Sequence, residues 1–282
     1  MRILRTVTEI FTFINQKRIE GIKSVGLIPT MGALHTGHLS LVDKCLQNND
    51  LTVVSVFVNP TQFNNKEDFD KYPITVDNDI RLLTDIGCDV LFLPSKEEMY
   101  PSEPLIKMSF GYLDTILEGE FRPGHFSGVG IVVGKLFNII KPDTAYFGQK
   151  DLQQFLVIKQ LVSDLSMPIE LKMCDIARDA KGLALSSRNA RLSENGLIEA
   201  QKLNTLLKSV ISEIQEHQDL AKVSELMNRF SENNPSITME YLKIVDANTL
   251  LDLEHYSKSN KKAICVAVFI ENIRLIDNMI FC

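Results

Sequence analysis

Two kinds of hydrophobic pattern take turns along this chain. Short runs that are apolar nearly throughout, at 25–28, 51–58 and 89–93, read as strands buried on both faces. Between them apolar residues recur at helical spacing, as with Ile10, Phe11 and Ile14. The pattern predicts a helix over 6–20, a strand over 24–30, a helix over 38–48, a strand over 51–58, a helix over 76–86 and a strand over 89–93. It continues with a short strand over 106–110, a helical 112–117, an apolar helix over 126–139, a strand over 143–148, a helix over 150–162 and a strand over 169–174. Strand, loop, helix and strand in repeated order is the signature of an α/β fold, a doubly wound parallel sheet.

From Ser193 the character changes. Leu197, Ala200, Leu203, Leu207, Val210 and Ile214 fit an amphipathic helix capped at Ser193, and Val223, Leu226 and Phe230 mark a second helix over 219–231. Strands over 238–245 and 263–270 finish the pattern. The chain is therefore expected to divide into a doubly wound domain over 1–177 and a smaller α+β domain over 178–282.

Composition narrows the class without naming a function. The 282 residues are 45% hydrophobic and 23% charged, as in ordinary globular proteins, and the net charge of −6 supplies no general field for a nucleic-acid backbone. Cys45, Cys88, Cys174, Cys265 and Cys282 are scattered and form no C-x-x-C pair, which points to a reducing compartment. No signal-peptide pattern opens the sequence and no apolar run reaches membrane-spanning length, so a cytoplasmic location is expected and no membrane partner.

Candidate chemistry gathers where predicted strands end. Pro29-Thr30-Met31-Gly32-Ala33-Leu34-His35-Thr36-Gly37-His38 carries two glycines and two histidines from a strand into a helix. A helix N-terminus at such a junction favours anionic groups, and open α/β sheets bind ligands there. Asn59 and Gln62 follow the strand over 51–58. Gly148, Lys150, Asp151, Gln153 and Gln154 follow the strand over 143–148, and Ser186, Ser187 and Arg188 sit at the domain boundary. Ends of parallel strands converge, so these segments are expected to build one crevice. The set offers cations and hydroxyls for phosphate, amides for a polar group, and carboxylates in Asp79 and Asp151 for a ribose or Mg²⁺. A Walker A loop, a dinucleotide glycine loop, an H-E-x-x-H zinc motif and a G-x-S-x-G elbow are all absent. Such a set suits phosphoryl or nucleotidyl transfer, which needs positioning and charge stabilisation more than a protein nucleophile.

The segment from Pro29 to Leu41 resembles the H-x-G-H region of the pantoate–β-alanine ligases. The likeness continues in Phe57-Val58-Asn59-Pro60-Thr61-Gln62-Phe63, in Met99-Tyr100-Pro101 and in Arg122-Pro123-Gly124-His125-Phe126-Ser127-Gly128-Val129. It extends through Lys135 to Asp143, Ala145-Tyr146-Phe147-Gly148-Gln149-Lys150-Asp151-Leu152-Gln153-Gln154 and Gly182-Leu183-Ala184-Leu185-Ser186-Ser187-Arg188-Asn189, in order along the whole chain. The resemblance implies a Rossmann-like fold related to class I aminoacyl-tRNA synthetases, a homodimer, and condensation of pantoate with β-alanine. ATP would be cleaved to AMP and pyrophosphate through pantoyl adenylate. It places Met31, His35, His38, Gly148, Lys150, Asp151, Ser186, Ser187 and Arg188 at ATP, with His35, His38, Lys150 and Arg188 catalytic. It places Gln62 and Gln154 at pantoate and Asp79 on the Mg²⁺ side, with His125 in either a loop or a site role.

Two departures stand out. Ile74 occupies a place where the family often has Arg, and Lys181 stands where it tends to have Asp; Leu185 replaces Met conservatively. Altered kinetics or loop dynamics are expected from these, with activity kept. Two other readings share the phosphate-binding groups: an H-x-G-H nucleotidyltransferase with a different acceptor, and a nucleotide-binding protein without catalysis.

Overall fold

The computed structural model describes residues 1–253, 255–257 and 261–282. Six parallel strands, β1 (Arg2–Leu4), β2 (Val25–Thr30), β3 (Leu51–Val56), β4 (Val90–Phe92), β5 (Thr144–Gly148) and β6 (Glu170–Cys174), form one sheet in the order β1-β4-β3-β2-β5-β6. The unbroken apolar runs have a direct cause. Leu27 and Val53 point to one face of the sheet, against the helices Val7–Ile19 and His125–Ile140. Their neighbours Ile28 and Val54 point to the other, against Thr36–Asn48 and Val76–Asp85. The first helix starts at a capping box in which the Thr6 hydroxyl accepts from the Glu9 N–H and the Glu9 carboxylate accepts from the Thr6 N–H.

Strand order reverses between β2 and β5. β2 pairs with β3 over six residues but with β5 only at Gly26–Thr144 and Leu27–Ala145. Beyond Leu27 the two strands are no longer bonded to each other, which is the opening where doubly wound sheets take ligands.

A second, antiparallel sheet joins β7 (Ile237–Asp246), β8 (Lys262–Ile270) and β9 (Ile273–Phe281) in the order β7-β8-β9. It packs with the helices Glu194–His217 and Lys222–Asn233 around Leu203, Leu207, Val210, Ile264, Val266 and Val268. Ser193 caps the longer helix, accepting from the Gly196 N–H as the sequence predicts.

The contacts divide the chain into two compact units: Met1–Gly148 with Gln153–Asp175, and Gln149–Leu152 with Ile176–Cys282. Residues 149–152, expected within 1–177, thus belong with the second unit. The expected strand over 106–110 does not form. The Met108 N–H goes to the Ser127 hydroxyl and the Phe110 N–H to the Asp114 carboxylate, while Leu105 and Ile106 lie exposed. The helix expected over 112–117 is a single 3₁₀ turn, Gly111–Asp114. A further 3₁₀ turn, Gln149–Asp151, precedes the helix Leu152–Asp164. Strands β1 and β9 were not legible from periodicity.

Candidate active site

In the first unit the site is built outward from the loop after β2. That loop turns through the left-handed region at Gly32 (φ 82°) and Ala33 (φ 49°). A Cβ at Gly32 would stand 3.0 Å from both the Asp79 carboxylate and Val56, so glycine answers both the dihedral and the space. Asp79, on the helix Val76–Asp85 and 1% exposed, holds the loop. Its Oδ2 accepts from the Ala33 N–H at 3.0 Å and its Oδ1 from the Leu34 N–H at 2.8 Å and the Thr75 hydroxyl at 3.0 Å. Both oxygens are thus engaged by donors of the surrounding loops, which makes Asp79 the anchor of this loop. Among the described residues no group of three His, Cys, Asp or Glu side chains could hold a metal ion.

The loop delivers His35 to the N-cap of the helix Thr36–Asn48. His35 Nδ1 accepts from the Gly37 N–H at 3.1 Å, and His38 Nδ1 accepts from the His35 N–H at 3.4 Å. The two histidines thus form a capping box usually made by Ser or Thr with Glu, their ring centroids 4.1 Å apart. Because each Nδ1 is an acceptor, each neutral ring carries its proton on Nε2. The helix start therefore presents two imidazole donors where the helix potential favours an anion.

Beside it, Met31 and Gln62 meet: the Gln62 Nε2 donates to the Met31 Sδ at 3.2 Å. Gln62 is itself fixed on a 3₁₀ turn, Pro60–Gln62, after β3. Its Oε1 accepts from Asn59 at 3.1 Å, and Asn59 is fully buried, bonded also to the Gly128 carbonyl, the Thr61 hydroxyl and the Tyr100 hydroxyl. His125 donates from Nδ1 to the Gln62 carbonyl at 2.8 Å. At Gly128 the helix His125–Ile140 lies so close that a Cβ would fall 2.3 Å from the Thr61 carbonyl oxygen. The Arg122–Val129 motif is therefore the seat of the Gln62 turn, and His125 has a positioning role.

Glu118 escaped the sequence reading, and Gln153, expected among the crevice residues, serves another purpose. Glu118 pairs with Arg122 at 3.6 Å with both side chains mostly buried, just after Leu117 turns at φ 46°. Gln153, 4% exposed, clamps that segment: its Nε2 donates to the Leu113 and Ile116 carbonyls and its Oε1 accepts from the Glu118 N–H. Gln153 is thus structural. The adjacent Gln154 is half-buried, with no side-chain hydrogen bond among the described residues. Gly148 ends β5 with open space where a Cβ would stand. A cavity of about 190 Å³ also opens beside Met31, lined by Phe57, Ile74, Thr75, Leu93 and Lys96.

In the second unit, the turn Gln149–Asp151 carries Lys150, whose ammonium lies 3.6 Å from the Asp151 carboxylate. The Lys150 side chain is 16% exposed and that of Asp151 47%. Ser186 caps a 3₁₀ turn over Ser187–Arg191, its hydroxyl accepting from the Arg188 N–H at 3.3 Å. The sequence reading missed the residues that root these groups. Arg178 forms a two-pronged pair with the buried Asp277 at 2.6 and 2.8 Å, and Asn278 reaches the Gln149–Lys150 backbone. A signal existed: Asp277 and Asn278 interrupt an otherwise apolar C-terminal run, and a buried polar pair demands partners.

These features coincide with strong likenesses to known proteins. The sequence model of the pantoate-beta-alanine ligase family matches residues 2–280. A pantothenate synthetase of Cytophaga hutchinsonii is 50% identical over 264 residues, covering 91% of each chain, and one of Bacteroides thetaiotaomicron is 45% identical, covering 99% of this chain and 98% of that one. Among solved structures, the pantothenate synthetase of Thermus thermophilus superposes with a TM-score of 0.91 at 38% identity, covering 99% of both chains. The pantoate-beta-alanine ligase of Francisella tularensis, solved as a complex with beta-gamma ATP and beta-alanine, gives 0.82 at 37% identity, covering 99% of this chain and 97% of that one. With whole-length agreement in sequence and fold, the chain belongs to the pantoate–β-alanine ligase family.

Proposed function

We propose that this protein condenses pantoate with β-alanine at the expense of ATP, releasing AMP and pyrophosphate through pantoyl adenylate. The observation that carries the reading is the histidine capping box of His35 and His38, standing beside the Met31–Gln62 pair at the reversal of strand order.

In this reading the Nε2–H groups of His35 and His38 and the first-turn amides of their helix meet phosphate oxygens. Gln62 and Gln154 hold pantoate through its hydroxyls and carboxylate, next to Met31. The pantoate carboxylate, ionised at neutral pH, attacks the α-phosphorus in line, and the bond to the bridging oxygen breaks as pyrophosphate leaves. Lys150 and Arg188, with Ser186 and Ser187, neutralise charge that grows on the leaving group. Asp151 accepts from ribose hydroxyls, and Gly148 leaves space for the nucleotide. The β-alanine amine then attacks the activated carbonyl, loses a proton and expels AMP. The mostly buried Arg122–Glu118 pair has the two charges that complement the carboxylate and ammonium of β-alanine. Among the described residues no cluster of side chains forms a cage for Mg²⁺, which would travel with the nucleotide, held by phosphate oxygens and water.

The protein acts in the cytoplasm as a homodimer in this proposal. Cys45, Cys88, Cys174 and Cys265 are buried and form no disulfide, which suits a reducing compartment, and no helix among the described residues is long and apolar enough to cross a membrane. Light scattering on the purified protein tests the dimer through a mass twice that of the chain.

Product identification from pantoate, β-alanine and Mg-ATP with single omissions tests the reaction. Pantothenate and AMP are expected only with all three substrates, and ATP–pyrophosphate exchange only when pantoate is present. Exchange that ignores pantoate would assign the chain another acceptor, and nucleotide binding with no pyrophosphate release would remove catalysis altogether.

A further inference from the structure

We propose that Asn278 is a positioning residue for Lys150, the buried root from which that ammonium reaches the nucleotide phosphates. The inference rests on the reading that Lys150 bears on those phosphates.

Lys150 stands in a three-residue turn, Gln149–Asp151, with a long side chain of several rotatable bonds. Such a side chain stabilises a transition state only if its backbone root is fixed, since misplacement by about 1 Å costs up to roughly 10²-fold in rate. The Asn278 side-chain amide supplies the fixation. Its Nδ2 donates to the Gln149 carbonyl at 3.0 Å and to the Lys150 carbonyl at 2.9 Å, and its Oδ1 accepts from the Gln149 Nε2 at 3.1 Å. Three hydrogen bonds from one 3%-exposed side chain thus hold one turn.

Asn278 is in turn held from behind. Its N–H donates to the Asp277 carboxylate at 2.7 Å, and its carbonyl accepts from the Arg178 Nη2 at 3.2 Å. Arg178 grips both oxygens of the 4%-exposed Asp277 and donates to the Gly182 carbonyl at 3.0 Å. Arg178 also bridges to Ala184, two residues before Ser186. One buried polar network on β9 therefore sets both the Lys150 turn and the hairpin that leads into Ser186, Ser187 and Arg188. Buried networks of this kind are rigid when every member is satisfied, which suits a scaffold for charges that must stay in place. Asn278 would touch no substrate; it acts through Lys150.

Pantoate-dependent ATP–pyrophosphate exchange decides the matter, measured on wild type, Asn278→Ala, Lys150→Ala and the double variant, with melting temperatures alongside. We expect Asn278→Ala to lower the exchange rate at saturating substrates by about 10- to 100-fold while KM for pantoate stays within about threefold. In the Lys150→Ala background the same substitution should cost less than about threefold, because its effect passes through a group already removed. Equal losses in both backgrounds, or a loss confined to KM for pantoate, would overturn the inference. If Asn278→Ala melts below the assay temperature, Asn278→Asp takes its place, since it keeps the volume and the Gln149 acceptor but removes both donors. A normal rate in Lys150→Ala would overturn the reading of Lys150 itself. A slow Lys150→Ala beside an undiminished Asn278→Ala would overturn only the positioning role.

Discussion

His125 gives its Nδ1 proton to the backbone carbonyl of Gln62 across 2.8 Å, deep enough that the histidine is 5% exposed. A motif histidine that the sequence leaves open between a loop and a site role thus holds a neighbour's main chain. Replacing it by Ala leaves a buried carbonyl unanswered, a cost of about 1–3 kcal/mol. We expect His125→Ala to lower the melting temperature and raise KM for pantoate about tenfold, converted from about 1.4 kcal/mol of lost binding. Asn, whose amide nitrogen stands near the Nδ1 position, should recover most of both. Equal defects in the Ala and Asn variants would point to chemistry at the ring.

The glycines of the helix His125–Ile140 separate packing from propensity. Gly128 faces backbone, with a Cβ placed 2.3 Å from the Thr61 carbonyl oxygen, whereas a Cβ on Gly134 would meet only side-chain atoms at 4.0 Å. Gly134→Ala should therefore stabilise the protein by about 0.5–1 kcal/mol through helix propensity alone. Gly128→Ala should destabilise it by more than that, because helix and turn must separate, and pantoate should bind more weakly. Urea unfolding of the two variants reads both signs.

Asp79 offers a test of anchor against metal ligand. Its carboxylate binds the Ala33 and Leu34 amides of a loop that already holds two left-handed residues. Asp79→Asn keeps the shape but turns an NH₂ toward backbone donors, so a loss of about 1–3 kcal/mol in stability is expected. Turnover should fall with it, while the Mg²⁺ concentration giving half-maximal rate stays where it is in the wild type. A large shift in that Mg²⁺ dependence would assign Asp79 to the metal side instead.

How much of this was legible in the sequence follows from what periodicity can carry. The strands at 25–30 and 51–56 were plain because adjacent residues such as Leu27 and Ile28 must both be apolar when both faces are covered. Strand β9 hid because Asp277 and Asn278 interrupt its apolar run, and their burial depends on Arg178 and the Gln149–Lys150 carbonyls, far away in sequence. The segment 106–110 misled in the opposite way: its composition suits a strand, yet Ser127 and Asp114 take its amides. Candidate site residues could be picked by type, but two of the three donors that claim Asp79 are backbone amides, which no side-chain pattern displays.

The cysteines set an alkaline limit. Burial pushes the Cys45 thiol up to about 11 and the Cys88 thiol up to about 12, against an ordinary 9.0. The unfolded chain therefore loses these protons first as pH rises. Their contribution to stability is complete below pH 9 and is lost between pH 9 and about 12. The melting temperature should fall progressively above pH 9, and the fall should be shallower in Cys88→Ala. At pH 8 a thiol reagent should label the exposed Cys282 in the folded chain and reach the four buried cysteines only after denaturation.

The capping box divides the labour of His38 between its two nitrogens, and that division can be measured. Nδ1 accepts the His35 N–H, so the ring presents its proton from Nε2. Gln places an amide nitrogen near the Nε2 position, whereas Asn places its amide near Nδ1 and reaches no further. If the donor that meets the nucleotide stands on Nε2, His38→Gln should keep about 10-fold more turnover than His38→Asn, the scale of a donor aimed at developing negative charge. The helix responds to the other nitrogen: Asn retains a side-chain oxygen close to the cap, so His38→Asn should melt no lower than His38→Gln. Turnover and melting temperature are thus expected to rank the two variants in different orders, which a single structural role for His38 would not do. Matching orders in both measurements would take the histidine out of the chemistry and leave it as a cap.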